Sequence, residues 1–411
     1  MSTLRNRLTW ALFAALTLIQ GCGGGGGGGT STAAGTPSAN PIAPAAPNVQ
    51  PISVDAGLGG TVNLAFTSVT VCVPGSNNCK TIDNILIDTG SSGLRIMSSA
   101  LPASLSLPQQ VDAAGDPVLE CAHFVDGYMW GPVKLADLKI SGEQASSLPI
   151  QVIGDPQFPL VPGRCAATGS SKNSVSTLHA NGILGLAIFR QDCGSACALS
   201  SRTGIYYTCP TSGCQLTALS LDLQLQHPVA KFASNNNGVI IELPAVAPDG
   251  AIRLSGSLVF GIGTQANNGI GSATVIGVDS GTANFTTVYR GASYDASFID
   301  SGSNAFFFVD AGTPVCTDPA AAGFYCPPTT RNLAATIQGR NGKSAAVSFG
   351  LANASALVTS NPGFAVFGNL GAPELGATTF DWGLPFFFGR NVFVAIDGAN
   401  TPAGPGPYVA F

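Results

Sequence analysis

Two short stretches of this 411-residue chain carry the residue types that acid–base chemistry needs. One reads Ile85-Leu-Ile-Asp88-Thr-Gly-Ser-Ser-Gly-Leu-Arg-Ile96, the other Ala296-Ser-Phe-Ile-Asp300-Ser-Gly-Ser-Asn-Ala-Phe-Phe307. Each is an apolar run, then Asp-[Thr/Ser]-Gly-Ser, then a second apolar run. Asp88 and Asp300 stand 212 residues apart, about one domain. A strand fixes the carboxyl, the Gly admits another backbone, and flanking hydroxyls can donate to carboxylate oxygens. Two carboxyls held about 3 Å apart cannot both ionise, so one keeps a proton and the other serves as base. Such a pair activates a water and protonates an amide leaving group without metal, His or Cys. A pair of β-turn Asp residues is the bland alternative.

The segments that must position these loops read as strands. Thr61-Val-Asn-Leu-Ala-Phe66, Asn84-Ile-Leu-Ile87 and Val133-Lys-Leu-Ala-Asp-Leu-Lys-Ile140 alternate or run apolar between Gly, Pro, Ser and Asn punctuation. Gly238-Val-Ile-Ile-Glu-Leu243, Gly256-Ser-Leu-Val-Phe-Gly261, Asn284-Phe-Thr-Thr-Val-Tyr289 and Ala345-Ala-Val-Ser-Phe349 continue the pattern. Helix is expected only over residues 216–226 and for a turn or two near 332–338. The 52 Gly and 28 Pro favour short strands and turns. A hydrophobic share of 45% can bury one large core or two ordinary ones. Charged residues make up 9%, with 17 Lys+Arg against 22 Asp+Glu, so no basic face for nucleic acid can form.

Other chemistries find no support. His123, His179 and His227 are too scattered for a metal site, and His227, before Pro228, reads as a surface turn. There is no His-Glu-x-x-His, Gly-x-Ser-x-Gly or Walker loop. Val278-Asp279-Ser-Gly-Thr282 imitates the Asp motif, but it lies only 18 residues after Gly261. That leaves little room for the preceding strands, and a less apolar run follows it than Ala305-Phe-Phe-Phe-Val309. Asp279 is read as a turn residue.

At the two Asp motifs the chain resembles the pepsin-like aspartic peptidases, bilobed enzymes with one Asp-Thr/Ser-Gly from each lobe. The likeness runs in family order over about residues 55–411. Asn181-Gly-Ile-Leu-Gly-Leu-Ala-Ile188 resembles the segment packed behind the first catalytic loop. Phe124-Val-Asp-Gly-Tyr-Met-Trp-Gly131 and the following 135–142 resemble the flap hairpin. Ser255-Gly-Ser-Leu-Val-Phe-Gly-Ile-Gly263 resembles the strand opening the second lobe, and 382–397 the C-terminal Gly-apolar-Phe…Val-x-x-Asp segment.

The resemblance implies Asp88 and Asp300 as a dyad holding the nucleophilic water. It implies that Thr89 and Ser301 cross-brace the loops through hydroxyl–backbone bonds, beside Gly90 and Gly302. Ser91 and Ser303 would bond the outer carboxylate oxygens. Ile183, Leu184 and Gly185 would support the first loop, with Gly383 and Gly389 both open as the second-lobe counterpart. No cofactor or metal is implied. One departure is the flap, where Phe124 stands at the family's usual Tyr and donates no hydrogen bond. Tyr128 and Trp130, nearer the hairpin tip, would substitute for it or line an exposed binding rim, and for Trp130 packing on the neighbouring sheet is the equal alternative.

The N-terminus reads as an address. Arg5 and Arg7 precede a 12-residue apolar run, Leu8 to Ile19, too short to span a bilayer. Ile19-Gln20-Gly21-Cys22 resembles a bacterial lipobox, which implies a signal peptide over 1–22, a lipidated Cys22 and an outer-membrane address; an ordinary secretory signal is the alternative. Residues 23–51 read as a Gly/Ala/Pro tether. Ten further Cys in an exported chain suggest up to five disulfides. Cys72–Cys79 and Cys316–Cys326 would close local loops. Cys193, Cys197, Cys209 and Cys214 would staple an inserted loop with the pairing open, leaving Cys121–Cys165. Zinc is the rival for that four-Cys stretch, but C-x3-C with C-x4-C is a poor zinc spacing.

These readings predict an all-β, bilobed pepsin-like β-barrel fold with a deep inter-lobe cleft. The N-terminal lobe would span 52–235, with flap and stapled insertion, and the C-terminal lobe 236–411. The expected function is an aspartic-type endopeptidase, a monomer acting on an extended peptide or unfolded protein. It would be lipid-anchored to the bacterial cell envelope, on the periplasmic or surface side, with no nucleic-acid partner. The alternative is an inactive pepsin-like envelope lipoprotein that binds a peptide or partner, suggested by the missing flap Tyr, the stapled insertion and the tether.

Overall fold

Short strands, some alternating apolar and polar as over Arg331–Gln338 and some buried throughout as over Ser92–Met97, Gly182–Leu186 and Gly238–Leu243, make up most of the regular structure of the computed structural model, which describes residues 43–374 and 376–411. The first half supplies β1 (Val49–Asp55), β2 (Leu64–Cys72), β3 (Cys79–Asp88), β4 (Ser92–Met97), β5 (Val118–Phe124), β6 (Gly127–Ile140), β7 (Glu143–Ile153), β8 (Gly182–Leu186), β9 (Tyr206–Thr208) and β10 (Gln215–Leu216). The second half supplies β11 (Gly238–Leu243), β12 (Leu254–Phe260), β13 (Val275–Gly277), β14 (Phe285–Tyr289), β15 (Ala292–Ile299), β16 (Phe306–Phe307), β17 (Arg331–Gln338), β18 (Ser344–Leu351), β19 (Gly371–Ala372), β20 (Asp381–Trp382), β21 (Arg390–Ala395) and a last ladder strand, Tyr408–Ala410. Among the described residues the longest helix has seven residues, Ala354–Ser360, and none is long and apolar enough to cross a membrane. The protein is all-β.

Two large sheets result. The 15-stranded sheet runs β10-β9-β5-β6-β7-β4-β8-β3-β2-β1-β12-β11-β21, then Tyr408–Ala410, then β13. An added β2–β6 pairing closes β2, β3, β8, β4, β7 and β6 into a ring, so these six strands form a barrel. Its interior is filled by Val69, Ile85, Ile87, Leu94, Ile96 and Leu184, all buried. The seven-stranded sheet runs β18-β17-β14-β15-β20-β16-β19. Phe306 and Phe308 pack inward there, with Phe308 stacked on Phe380 at 4.8 Å and Phe380 on Trp382 at 4.4 Å.

Several boundaries differ from the sequence reading. Residues 49–51, assigned to the tether, belong to β1, which pairs with β12 from Val49↔Val259 to Val54↔Leu254. That pairing carries the larger sheet across the division at residue 235. The signal peptide, Cys22 and the tether as far as residue 42 lie outside the described residues. Residues 332–338 are strand, because Leu333, Ala335 and Ile337 alternate inward between β14 and β18. Beyond β10, 216–226 forms turns rather than helix, held by the Gln224 and Gln226 amides donating to the Leu219 and Leu221 carbonyls at 2.8 and 2.6 Å. Five disulfides form: Cys72–Cys79, Cys121–Cys165, Cys193–Cys197, Cys209–Cys214 and Cys316–Cys326.

Candidate active site

Asp88 is the last residue of β3, and β8 fixes its backbone by parallel pairing, Ile87↔Leu184 and Asp88↔Gly185. The chain turns there and returns as β4, antiparallel to β8. Within that turn the Gly90 amide donates to Asp88 Oδ1 at 2.7 Å and the Ser91 hydroxyl to Oδ2 at 2.5 Å. Asp300 sits in the same construction in the other sheet. β15 runs parallel to β20, Ile299↔Trp382, and β16 returns antiparallel to it. The Gly302 amide donates to Asp300 Oδ1 at 2.8 Å and the Ser303 hydroxyl to Oδ2 at 2.9 Å.

Reciprocal bonds lock the two turns together. The Thr89 amide donates to Ser301 Oγ at 3.1 Å, and the Ser301 amide to Thr89 Oγ1 at 2.9 Å. Each hydroxyl then donates across to the carbonyl before the opposite Asp: Thr89 Oγ1 to Ile299 O at 3.2 Å, Ser301 Oγ to Ile87 O at 2.9 Å. Thr89 and Ser301 are buried, so these four bonds are shielded from water. The glycines decide how closely the carboxyls approach. A Cβ on Gly90 would lie 2.9 Å from Asp300 Cγ and both its oxygens, and one on Gly302 would lie 2.8 Å from Asp88 Oδ1. Only glycine fits at either place.

Burial pushes the Asp300 carboxyl up to about 8, and the facing Asp88 carboxyl adds to the shift. Asp88 itself is 6% exposed, whereas Asp300 is half-buried and Gly90 is exposed. The pair is therefore dry behind and open toward Gly90.

Ile183, Leu184 and Gly185 form the strand behind the first turn. The matching residues behind the second are Asp381, Trp382 and Gly383, because the Asp300 amide donates to Trp382 O at 3.1 Å and the Leu384 amide to Ser303 O at 2.7 Å. A Cβ on Gly383 would lie 2.1 Å from Ala305 O, so the loop packs directly on its backbone. Gly389 is elsewhere, donating to Leu243 O of β11. The decoy Asp279 caps its own turn, accepting from the Gly281 and Thr282 amides at 3.0 and 2.9 Å.

The β5–β6 hairpin pairs Phe124 with Gly127, and Val125 at its tip is 95% exposed. Phe124 is half-buried beneath the Arg95 guanidinium, 5.8 Å from the ring centroid. Tyr128 and Trp130 do not reach an exposed rim. They share one face of β6 and pack around the Cys121–Cys165 bridge; Trp130 lies edge-on to Tyr207 at 5.2 Å and donates to Phe158 O at 3.1 Å. Met129, on the opposite face, joins Leu86 and Ile183 behind the first turn.

Three buried polar features were missed or misplaced by the sequence reading. Arg95 of β4 donates to Ser92 O at 3.0 Å and to Glu120 of β5 at 2.5 Å, and lies 3.6 Å from Asp192. Asp192 accepts from the Tyr206 hydroxyl at 2.7 Å. Burial, with Glu120 adding, holds the Asp192 carboxyl well above its ordinary range. This cluster, with the β5–β9 pairing, ties the disulfide-stapled insertion to the hairpin strand. His227 is fully buried rather than in a surface turn, and burial lowers its ring to about 4. Asp381 is 5% exposed, held well above the ordinary carboxyl range by burial and then by Asp300. Its one signal in the sequence is an Asp in an otherwise apolar Phe380-Asp-Trp-Gly383 run.

A family model described as Protein of unknown function (DUF3443) matches residues 44–411. No curated protein matches the chain.

Proposed function

We propose that this chain, which belongs to the DUF3443 family, is an aspartic-type endopeptidase with a bilobed pepsin-like fold. The observation that carries the reading is the reciprocal lock. Two Asp-hydroxyl-Gly-Ser turns from different sheets exchange four hydroxyl bonds and press each carboxyl against the opposite glycine. A structural pair of turn carboxylates gains nothing from that approach, since like charges repel. A catalytic pair needs it. Further support comes from the matching strand registers around Asp88 and Asp300, as expected of two related lobes.

The chemistry follows from one proton shared by two carboxyls. With Asp300 protonated, Asp88 is the base: it takes a proton from a water lying between them, and the water oxygen attacks the scissile carbonyl carbon. Asp300 gives its proton to the carbonyl oxygen, producing a neutral gem-diol. The C–N bond then breaks as a diol proton returns to Asp300 and the proton held by Asp88 passes to the leaving nitrogen. Substrate would be an extended peptide or unfolded protein, and lipidation at Cys22 would hold the enzyme at the cell envelope.

The test is hydrolysis of a denatured protein from about pH 3 to 7, with Asp88→Asn and Asp300→Asn alongside and pepstatin as inhibitor. Pepstatin-sensitive cleavage abolished by either change is the expected result; cleavage that survives both refutes the assignment. One observation favours a second reading, a peptide-binding module without turnover: Phe124 has no hydroxyl and packs on Arg95. On that reading the folded chain cuts nothing, yet retains an extended peptide even as Asp88→Ala.

A further inference from the structure

We propose that Asn63 is a positioning residue: it grips the second carboxyl turn from the first half of the chain and so fixes Asp300 against Asp88. Its effect on turnover rests on the endopeptidase reading; its effect on how closely the carboxyls approach does not.

Asn63 immediately precedes β2 and has no exposed surface. Its backbone is left-handed, with φ 56°, a conformation that Asn tolerates better than most residues. Its amide and side chain make four hydrogen bonds to the second half of the chain. Nδ2 donates to Asn304 O at 2.9 Å and to Phe367 O at 2.8 Å, and Oδ1 accepts from the Phe367 amide at 2.8 Å. The Asn63 amide donates to Ala365 O at 2.8 Å. The side chain thus brackets Phe367 as a neighbouring peptide group would, and has a second donor for Asn304. Burial shields all four bonds from water.

The place of Asn304 gives these bonds their consequence. It follows Ser303, whose hydroxyl donates to Asp300. The corresponding residue of the first turn, four after Asp88, is Ser92, and its carbonyl accepts from Arg95 of the same half at 3.0 Å. Each turn therefore ends on a carbonyl held by a side chain, but the first is held from its own half and the second from the opposite one. The Thr89–Ser301 bonds join the halves at the residue after each Asp, and Asn63 adds a hold three residues farther along the second turn. One hold lets a turn pivot, whereas two fix its direction. The other backbone bonds of this turn, with Trp382 and Leu384, come from its own half and move with it. Without Asn63 the second turn would tilt about the Thr89–Ser301 bonds and carry Asp300 away from Asp88.

The test uses the purified full chain labelled with 13C at the Asp carboxyls, with Asp300→Asn to identify the Asp300 resonance. Asn63→Gly keeps the left-handed backbone without steric cost and deletes the three side-chain bonds. Asn63→Ser is the milder variant, its hydroxyl too short to span Asn304 and Phe367. In either folded variant kcat should fall about 10-fold or more while KM stays within about twofold. The Asp300 midpoint should fall by about half a pH unit or more, because the dry surroundings and the facing Asp88 that raise it are farther away. Asn237→Gly is the control. Asn237 is also buried and brackets Ile262 in the same way, donating to its carbonyl at 3.0 Å and accepting from its amide at 2.7 Å, with neither turn among its partners. That change should cost stability and leave kcat and the Asp300 midpoint in place. An unmoved midpoint in the folded Asn63 variants overturns the proposal, as does an equal loss of kcat in Asn237→Gly. Failure of both Asn63 variants to fold beside a folded Asn237→Gly also overturns it, making Asn63 a residue of the fold alone. A fallen midpoint in a chain that cuts no peptide would sustain the role of Asn63 while refuting the peptidase reading.

Discussion

Replacing Ser301 by Ala removes one hydroxyl from the centre of the lock and tests it directly. Ser301 has no exposed surface, so water cannot enter without rearrangement. The change leaves the Thr89 amide without its 3.1 Å acceptor and takes a 2.9 Å donor from the Ile87 carbonyl. A buried amide left unpaired costs about 1–3 kcal/mol, and a lost hydrogen bond about 0.5–1.5 kcal/mol. The sum, about 1.5–4.5 kcal/mol, is a large part of the roughly 5–15 kcal/mol that usually holds a domain folded. Urea unfolding of Ser301→Ala against the parent chain reads this difference. Thr89→Val should cost about the same, since Thr89 makes the mirror-image bonds at 2.9 and 3.2 Å. Thr89→Ser keeps the hydroxyl and should lose less than about 1 kcal/mol. The two disruptive changes should also depress any peptidase activity beyond their effect on folding, because the carboxyls would lose their shared anchor. If Ser301→Ala unfolds within about 0.5 kcal/mol of the parent, the hydroxyl bonds do not carry the two turns and the reasoning fails.

Gly90→Ala puts a methyl 2.9 Å from the Asp300 carboxyl, so kcat/KM should fall by about 100-fold or more while far-UV circular dichroism stays unchanged; parent-like activity would show that the carboxyls do not approach this closely. His227 should make the fold sensitive to acid. Its folded-state value is depressed to about 4, so stability present above about pH 6.5 is lost as pH falls toward 4 and the unfolded chain alone takes up the proton. That loss amounts to about 3 kcal/mol, and His227→Gln should reduce it in urea titrations at pH 7 and pH 4; an equal loss in both chains would rule out the ring as its source.

Features that depend on neighbours in the chain were legible without coordinates. Ile85 to Asp88 and Ala296 to Asp300 declare a strand ending in a carboxyl, and the Gly and Ser that follow supply its donors within three residues. Most strands showed either in alternation, as over Val133 to Ile140 of β6, because side chains on a strand switch faces at every step, or in a short apolar run, as in β11, which is buried on both faces. The cysteines that close short loops, Cys72–Cys79 and Cys316–Cys326, were readable for the same reason.

What sequence could not assign depended on which distant strand lies alongside. The 332–338 segment looked fit for a helical turn until β14 and β18 flanked it and drew Leu333, Ala335 and Ile337 to one side. Trp130 was equally suited to a rim or a core; the register of β6 against β5 turned it onto the Cys121–Cys165 bridge. Gly383 prevailed over Gly389 because β20 runs beside β15, whereas Gly389 falls against β11. Arg95, Glu120 and Asp192 look like ordinary surface charges along the chain and become a buried cluster only where β4, β5 and the insertion converge. Asp381 likewise reads as one acid in an apolar run, and lies buried behind the second turn only because β15 and β20 pair. Local chemistry is written in adjacent residues, but burial and charge crowding are properties of the space between strands.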